Sequence, residues 1–273
     1  MAEPLEGTTK KHALILAAAV AVSISLIGAS IYIGYRALGY RRHVNYFLEK
    51  YTFVVEGFSG RQKYAEDNLR MVATAGHRDR VVFIGDQIIE SWPLDRYFTE
   101  FEAVNRGITG QWLAGFVLRL RPDVLELKPR AAVIQFSSYN FRPQNVVAET
   151  KDYVANITEL CRYHGVEPVL TTVIPVRENE DVYRSEGFEP YFVADTLDLF
   201  NDWLRGYCRE NGLALIDFFA ALADDKGYLP TELSIDNTHL TEAGFQRLAE
   251  ATRPVLTSPG SIRAIGKREI IAP

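Results

Sequence analysis

Five short apolar runs, separated by longer stretches of helical period, constrain this chain more than any other feature. The runs are residues 80–84 (RVVFI), 101–104, 131–136 (AAVIQF), 168–173 (PVLTTV) and 213–218. They are rich in apolar, β-branched and aromatic residues with turn-forming neighbours, which reads as strand. Between and after them the apolar spacing becomes helical, over 110–127, 143–164, 193–211 and 241–255. Helices of ten or more residues between strands build βαβ units, whose strands run parallel. Strands apolar along their whole length are covered on both faces. The sequence therefore predicts a five-stranded parallel sheet in a three-layer α/β/α sandwich. Open sheets of this kind bind ligands at the carboxyl ends of their strands.

Upstream, residues 13–35 (ALILAAAVAVSISLIGASIYIGY) contain no charge. As a helix the run is about 35 Å long, enough to cross a hydrocarbon core of ~30 Å. A cleaved signal usually has an apolar stretch of about 7–15 residues. Here Ile31, Tyr32 and Ile33 extend the run past the small-residue site at Gly28-Ala29-Ser30. Tyr32 and Tyr35 stand where interfacial aromatics lie. An uncleaved, single-pass membrane anchor is expected. Lys10, Lys11 and the terminal amine on one flank nearly balance Arg36, Arg41, Arg42 and Lys50 on the other. The positive-inside rule thus assigns neither side of the membrane. The chain divides into a tail (1–12), the anchor (13–35), a helical linker (36–77), the globular domain (78–257) and a non-periodic tail (258–273).

With 30 Lys+Arg against 35 Asp+Glu, the net charge is −5. That argues against a nucleic-acid partner, which would call for a basic face. Two cysteines, Cys161 and Cys208, cannot form a four-thiolate zinc site, and no metal or cofactor is expected. They fall on successive crossover helices of one face, so a disulfide and two buried thiols are both open.

The strand ends carry the chemistry. Gly85-Asp86-Gln87 follows the first run, and Asn105-Arg106-Gly107-Ile108-Thr109-Gly110 the second. Ser137-Ser138-Tyr139-Asn140 follows the third, and Asp236-Asn237-Thr238-His239 precedes the last helix. In this order and spacing the blocks resemble those of the SGNH hydrolases, the GDSL-type lipases and esterases. The resemblance spans about residues 78–256 and implies a flavodoxin-like sandwich and an ester hydrolase site. It places the general base at His239 and its orienting carboxylate at Asp236. It also implies oxyanion donors from the N–H groups of residue 87 and Gly107 and from a third-block Asn. Aligned without a gap that Asn is replaced by Tyr139; a one-residue slip supplies Asn140.

The departure is at the nucleophile, where Gln87 takes the place of the family's Ser. A carboxamide is neutral, its nitrogen is delocalised into the carbonyl, and it offers no proton that His239 could remove to make a nucleophile. The leading expectation is a membrane-anchored, SGNH-like protein that is inactive as a serine esterase and retains binding of an acyl ester, acetyl ester or glycan. A second reading is a hydrolase using Ser137 or Ser138, or water activated by His239. A third is a scaffold or interaction module, with His239 merely capping a loop. The acidic stretch 178–181 (ENED) reads as a solvated loop face. The sequon Asn156-Ile157-Thr158 is discounted because it lies mid-helix.

Overall fold

The computed structural model describes residues 6–52, 59–73, 79–141, 147–178 and 190–258. It divides into two compact units, Met1–Gly57 and Phe58–Pro273. The described residues of the first form one helix, α1 (Glu6–Thr52). Its segment Lys11–Leu48 is long and apolar enough to cross a membrane, and none of its most apolar window is buried. At 47 residues α1 extends about 70 Å. It therefore runs well past the uncharged stretch into the residues counted from sequence as linker.

The second unit begins with α2 (Ala65–Ala73), β1 (Arg80–Gly85), α3 (Gln87–Ser91), α4 (Leu94–Tyr97), β2 (Glu102–Gly107) and α5 (Leu113–Asp123). There follow β3 (Ala131–Ile134), α6 (Val147–Tyr163), β4 (Glu167–Thr171) and α7 (Pro190–Asn211). The last elements are β5 (Ala214–Ile216), α8 (Phe218–Leu222) and α9 (Glu242–Thr257). Residues 59–73, also counted as linker, pack within this unit. The Asn68 side-chain amide, for example, donates to Asp123 at 2.6 Å.

The five strands are parallel in the order β2-β1-β3-β4-β5. This is the expected sandwich, and its alternating residues face opposite layers. Val82, Ile84, Ala132, Ile134 and Leu170 join one core with α5, α6 and α7. Val81, Phe83, Ala131, Val133 and Val169 join the other with α3, α8 and α9. Cys161 and Cys208 are free thiols buried in the first core, so they form no disulfide. Burial pushes both to about 12, out of reach of useful thiolate chemistry.

Two boundaries differ from expectation for identifiable reasons. β2 continues three residues beyond the predicted end, through Asn105, Arg106 and Gly107, in register with Phe83, Ile84 and Gly85. The Arg106 guanidinium is buried there and donates to Asn68 and Asp67 of α2 at 3.0 and 2.6 Å. α5 starts three residues later than predicted because Gly110 takes the left-handed conformation, with φ +71°.

β1 lies between β2 and β3, so the chain turns one way after β1 and the other way after β2. The strand-end crevice of such a sheet falls at this switch point. Both Gly85-Asp86-Gln87 and Gln135-Phe136-Ser137 lie there.

Candidate active site

The turn out of β1 is set by Asp86. Its carboxylate caps α3 by accepting the Ile88 N–H at 2.9 Å, and its own N–H donates to Gln135 Oε1 at 2.9 Å. Asp86 is fully buried, and burial pushes its pKa above the ordinary value. Hydrogen bonds from Ser137, Ile88 and Gln135 pull the other way. This tight strand-to-helix turn makes Gln87 the first residue of α3. Only 3% of Gln87 is exposed, and its side-chain carbonyl accepts the Gly110 N–H at 3.3 Å.

The turn out of β2 is held by Asn105. Its Oδ1 accepts the Gly107 N–H at 2.9 Å, and its Nδ2 donates to the Trp92 carbonyl at 3.2 Å. Gly107 also packs directly on α3: a Cβ there would stand 2.1 Å from the Glu90 nitrogen. The Gly107 N–H, expected as a carbonyl-oxygen donor, is engaged by a side chain of its own turn. The N–H aimed at the side chain of residue 87 belongs to Gly110, whose Cβ position faces open space. Sequence reasoning missed this residue. The available signal was the second glycine of N-R-G-I-T-G, together with an Asn placed to cap the first.

The segment between Ser234 and Leu240 closes as a loop. An antiparallel bridge joins those two residues, and the Ile235 N–H donates to the His239 carbonyl at 2.8 Å. Inside it Asp236 Oδ1 accepts the Thr238 and His239 N–H groups, both at 2.7 Å, and the Thr238 hydroxyl at 2.9 Å. His239 Nδ1 lies 2.8 Å from Asp236 Oδ2 and 3.0 Å from Oδ1. Burial alone would raise the Asp236 pKa, but these hydrogen bonds outweigh it and hold the carboxyl at about 2. With Nδ1–H given to the carboxylate, the neutral ring presents Nε2 as an acceptor. No hydrogen bond to Nε2 occurs among the described residues. His239 is half exposed. This arrangement can hold a proton acceptor in a fixed tautomer.

Two further residues, unnoticed in the sequence, fasten this loop to the segment that follows β4. The Arg177 N–H donates to Asn237 Oδ1 at 2.7 Å, and its guanidinium donates to the Ile235 carbonyl at 2.5 Å. Ser137, one of the two candidate displaced nucleophiles, is buried and bonded to Asp86. Tyr139 and Asn140 lie in a single 3₁₀ turn, Ser138–Phe141, and their side chains fall outside the described residues. So do residues 179–181 of the acidic stretch.

A five-stranded parallel sheet in this order defines the class of flavodoxin-type α/β/α sandwiches. The family model for GDSL-like lipases and acylhydrolases matches residues 73–247, and the chain belongs to that family. Uncharacterized lipoprotein YqeF of Bacillus subtilis (strain 168) is 24% identical over 156 residues. That match covers 52% of this chain and 64% of the lipoprotein. Among solved structures, a GDSL-like lipase of Bacteroides thetaiotaomicron superposes with a TM-score of 0.64 at 23% identity, covering 73% of this chain and 98% of that one. An acetylxylan esterase of Geobacillus stearothermophilus gives 0.53 at 18%, covering 69% and 98% respectively.

Proposed function

We propose that this protein is a membrane-tethered family member that binds an acyl- or acetyl-ester ligand, an acylated glycan included, without hydrolysing it by a serine mechanism. One observation carries the reading: Gln87 Oε1 sits on the Gly110 N–H at 3.3 Å. The carboxamide of Gln87 is no nucleophile, and its carbonyl occupies a donor suited to a substrate's carbonyl oxygen, which a bound ester would displace. Losing the nucleophile of a serine hydrolase cost about 10⁶ in turnover where this was measured. The ester class is supported by the family and by the acetylxylan esterase among the structural neighbours. The tether is supported by the apolar span and by the lipoprotein relative. Burial and engagement with Asp86 count against Ser137 as a replacement nucleophile. The unbonded Nε2 of His239 keeps a second reading in play, in which that nitrogen activates water.

The test compares wild type, Gln87→Ser and Gln87→Ser/His239→Ala on nitrophenyl acetate. Wild type should stay at background. Gln87→Ser should hydrolyse the ester weakly, and the double variant should lose that gain. His239-dependent turnover by wild type would overturn the proposal in favour of activated water or a displaced serine. A folded Gln87→Ser protein that stays at background would favour a scaffold role. For the tether, the full chain should stay in the membrane pellet after carbonate extraction, and its release would refute anchoring.

A further inference from the structure

The family match begins at residue 73, yet the segment 59–68 grips the loop that carries Gly110 at several points. The Ser59 carbonyl accepts the Gln111 side-chain amide at 3.0 Å, and Gly60 packs on Ile108 and Gln111. The Lys63 ammonium pairs with Glu90 Oε1. The other oxygen of Glu90 accepts the Thr109 N–H at 2.6 Å and the Thr109 hydroxyl at 2.8 Å. The Tyr64 hydroxyl donates to the Gly107 carbonyl at 2.5 Å, and its ring lies 4.7 Å from the Arg106 guanidinium. Asp67 and Asn68 then hold that guanidinium, as described above.

These contacts reach residues 106 to 109 and 111, on both sides of Gly110. A backbone donor serves a ligand only when its direction is fixed before the ligand arrives. Glycines at 107 and 110 make this turn intrinsically loose, since glycine restricts backbone angles least. Of these contacts, the Lys63–Glu90–Thr109 relay ends on the residue immediately before Gly110.

We infer that residues 59–68, upstream of the residues the family model matches, are a positioning strap which fixes the direction of the Gly110 N–H through the Lys63–Glu90–Thr109 relay and the Tyr64–Gly107 bond. Lys63 and Tyr64 are positioning residues in this scheme, and the role holds whether or not an ester is ever cleaved.

The test uses the full chain in detergent micelles and reads amide hydrogen exchange. Lys63→Met/Tyr64→Phe removes the ion pair and the hydroxyl while keeping the apolar volume. Exchange across residues 108–111 should rise about tenfold, as expected for losing one weakly exposed ion pair and one hydrogen bond. Exchange at Val81–Ile84 in β1 should stay at the wild-type rate. Lys63→Arg, which keeps the charge, should match wild type at both places. Unchanged exchange at 108–111 in the double variant would overturn the inference. An equal rise in the loop and in β1 would also overturn it, because the strap would then stabilise the domain generally. Neither readout depends on the proposed ligand, so failure here is separable from failure of the ester-binding proposal.

Discussion

Asn237 Oδ1 accepts the Arg177 N–H at 2.7 Å, which fixes a residue lying between Asp236 and His239 to the loop that leaves β4. The Asp–His pair is therefore held from outside its own loop as well as from within it. Asp236 takes three donors from Thr238 and His239 besides the imidazole. Those bonds shape the turn into α9, where Thr241 caps the helix by accepting the Gly244 N–H. The carboxylate thus has a structural role that persists with Gln at position 87. Retention of the pair is not by itself a sign of catalysis.

The pH dependence of Asp236 follows from its lowered pKa. Its folded value is about 2 against an ordinary 3.8. A depressed carboxyl contributes stability that is complete above its unfolded pKa and is lost as pH falls through the folded one. The window is therefore from about pH 4 down to about pH 2. In urea denaturation, wild type should exceed Asp236→Asn in stability at pH 6, with the gap shrinking below pH 4 and closing near pH 2. An equal gap at pH 6 and pH 2 would mean that the carboxylate charge is not what the loop uses.

Arg119 and Asp123 form a fully buried ion pair at 2.8 Å beneath the Gly110 loop. Arg119 also donates to the Arg106 carbonyl at 2.7 Å, and Asn68 donates to Asp123. Removing one partner leaves a buried charge without compensation, which costs about 3–5 kcal/mol. Asp123→Ala should lose that much in denaturant unfolding. The double change Arg119→Met/Asp123→Leu should recover part of it. Recovery should be incomplete, because Asn68 loses its acceptor in both variants and the Arg106 carbonyl loses its donor in the double change. A loss below 1 kcal/mol for Asp123→Ala would show that water reaches the pair.

The sheet was legible because its strands are apolar on both faces, and residues 81–84 and 131–134 announce themselves without context. The end of β2 was not. Asn105 and Arg106 read as turn residues, and Arg106 is tolerated in a buried strand only because Asn68 and Asp67 meet it from α2. No local pattern announces a partner nearly forty residues away. The Asp236–His239 pair was legible from the D-x-x-H block of the resemblance, whose three-residue spacing lets the contact form within one loop. The destination of the Gly107 and Gly110 N–H groups was not, because it depends on how Asn105 and Gln87 turn in space.

Ser137 separates structural from catalytic readings of the β3 end. Its hydroxyl supports a buried carboxyl, and removing one donor from a buried polar group costs about 1–3 kcal/mol. Ser137→Ala should therefore lower stability by that amount in urea denaturation. It should leave the ester hydrolysis of Gln87→Ser unchanged per folded molecule. Abolished hydrolysis in a folded Ser137→Ala/Gln87→Ser protein would return Ser137 to the reacting groups.

The two glycines of the β2 turn should respond unequally to an added methyl group. At Gly107 the new carbon would stand 2.1 Å from the Glu90 nitrogen and 2.6 Å from its Cα, both backbone atoms of α3 that no side-chain rotation can clear. Overpacking of this kind typically costs about 1–3 kcal/mol, and a clash with backbone belongs at or above the top of that range. At Gly110 the methyl would meet nothing within 4 Å, so the cost is only that of holding an L-residue at φ +71°, about 1–2 kcal/mol. Gly110→Ala should therefore fold with a modest fall in its urea midpoint, whereas Gly107→Ala should be the more damaged protein. Amide exchange adds a second discriminator. The Gly107 N–H, held by Asn105, should lose protection in Asn105→Ala, while the Gly110 N–H should lose it in Gln87→Ala. If Gly107→Ala proves the milder change and its N–H ignores Asn105, then Gly107 does not serve as the packing glycine, and its N–H becomes the donor that faces a ligand.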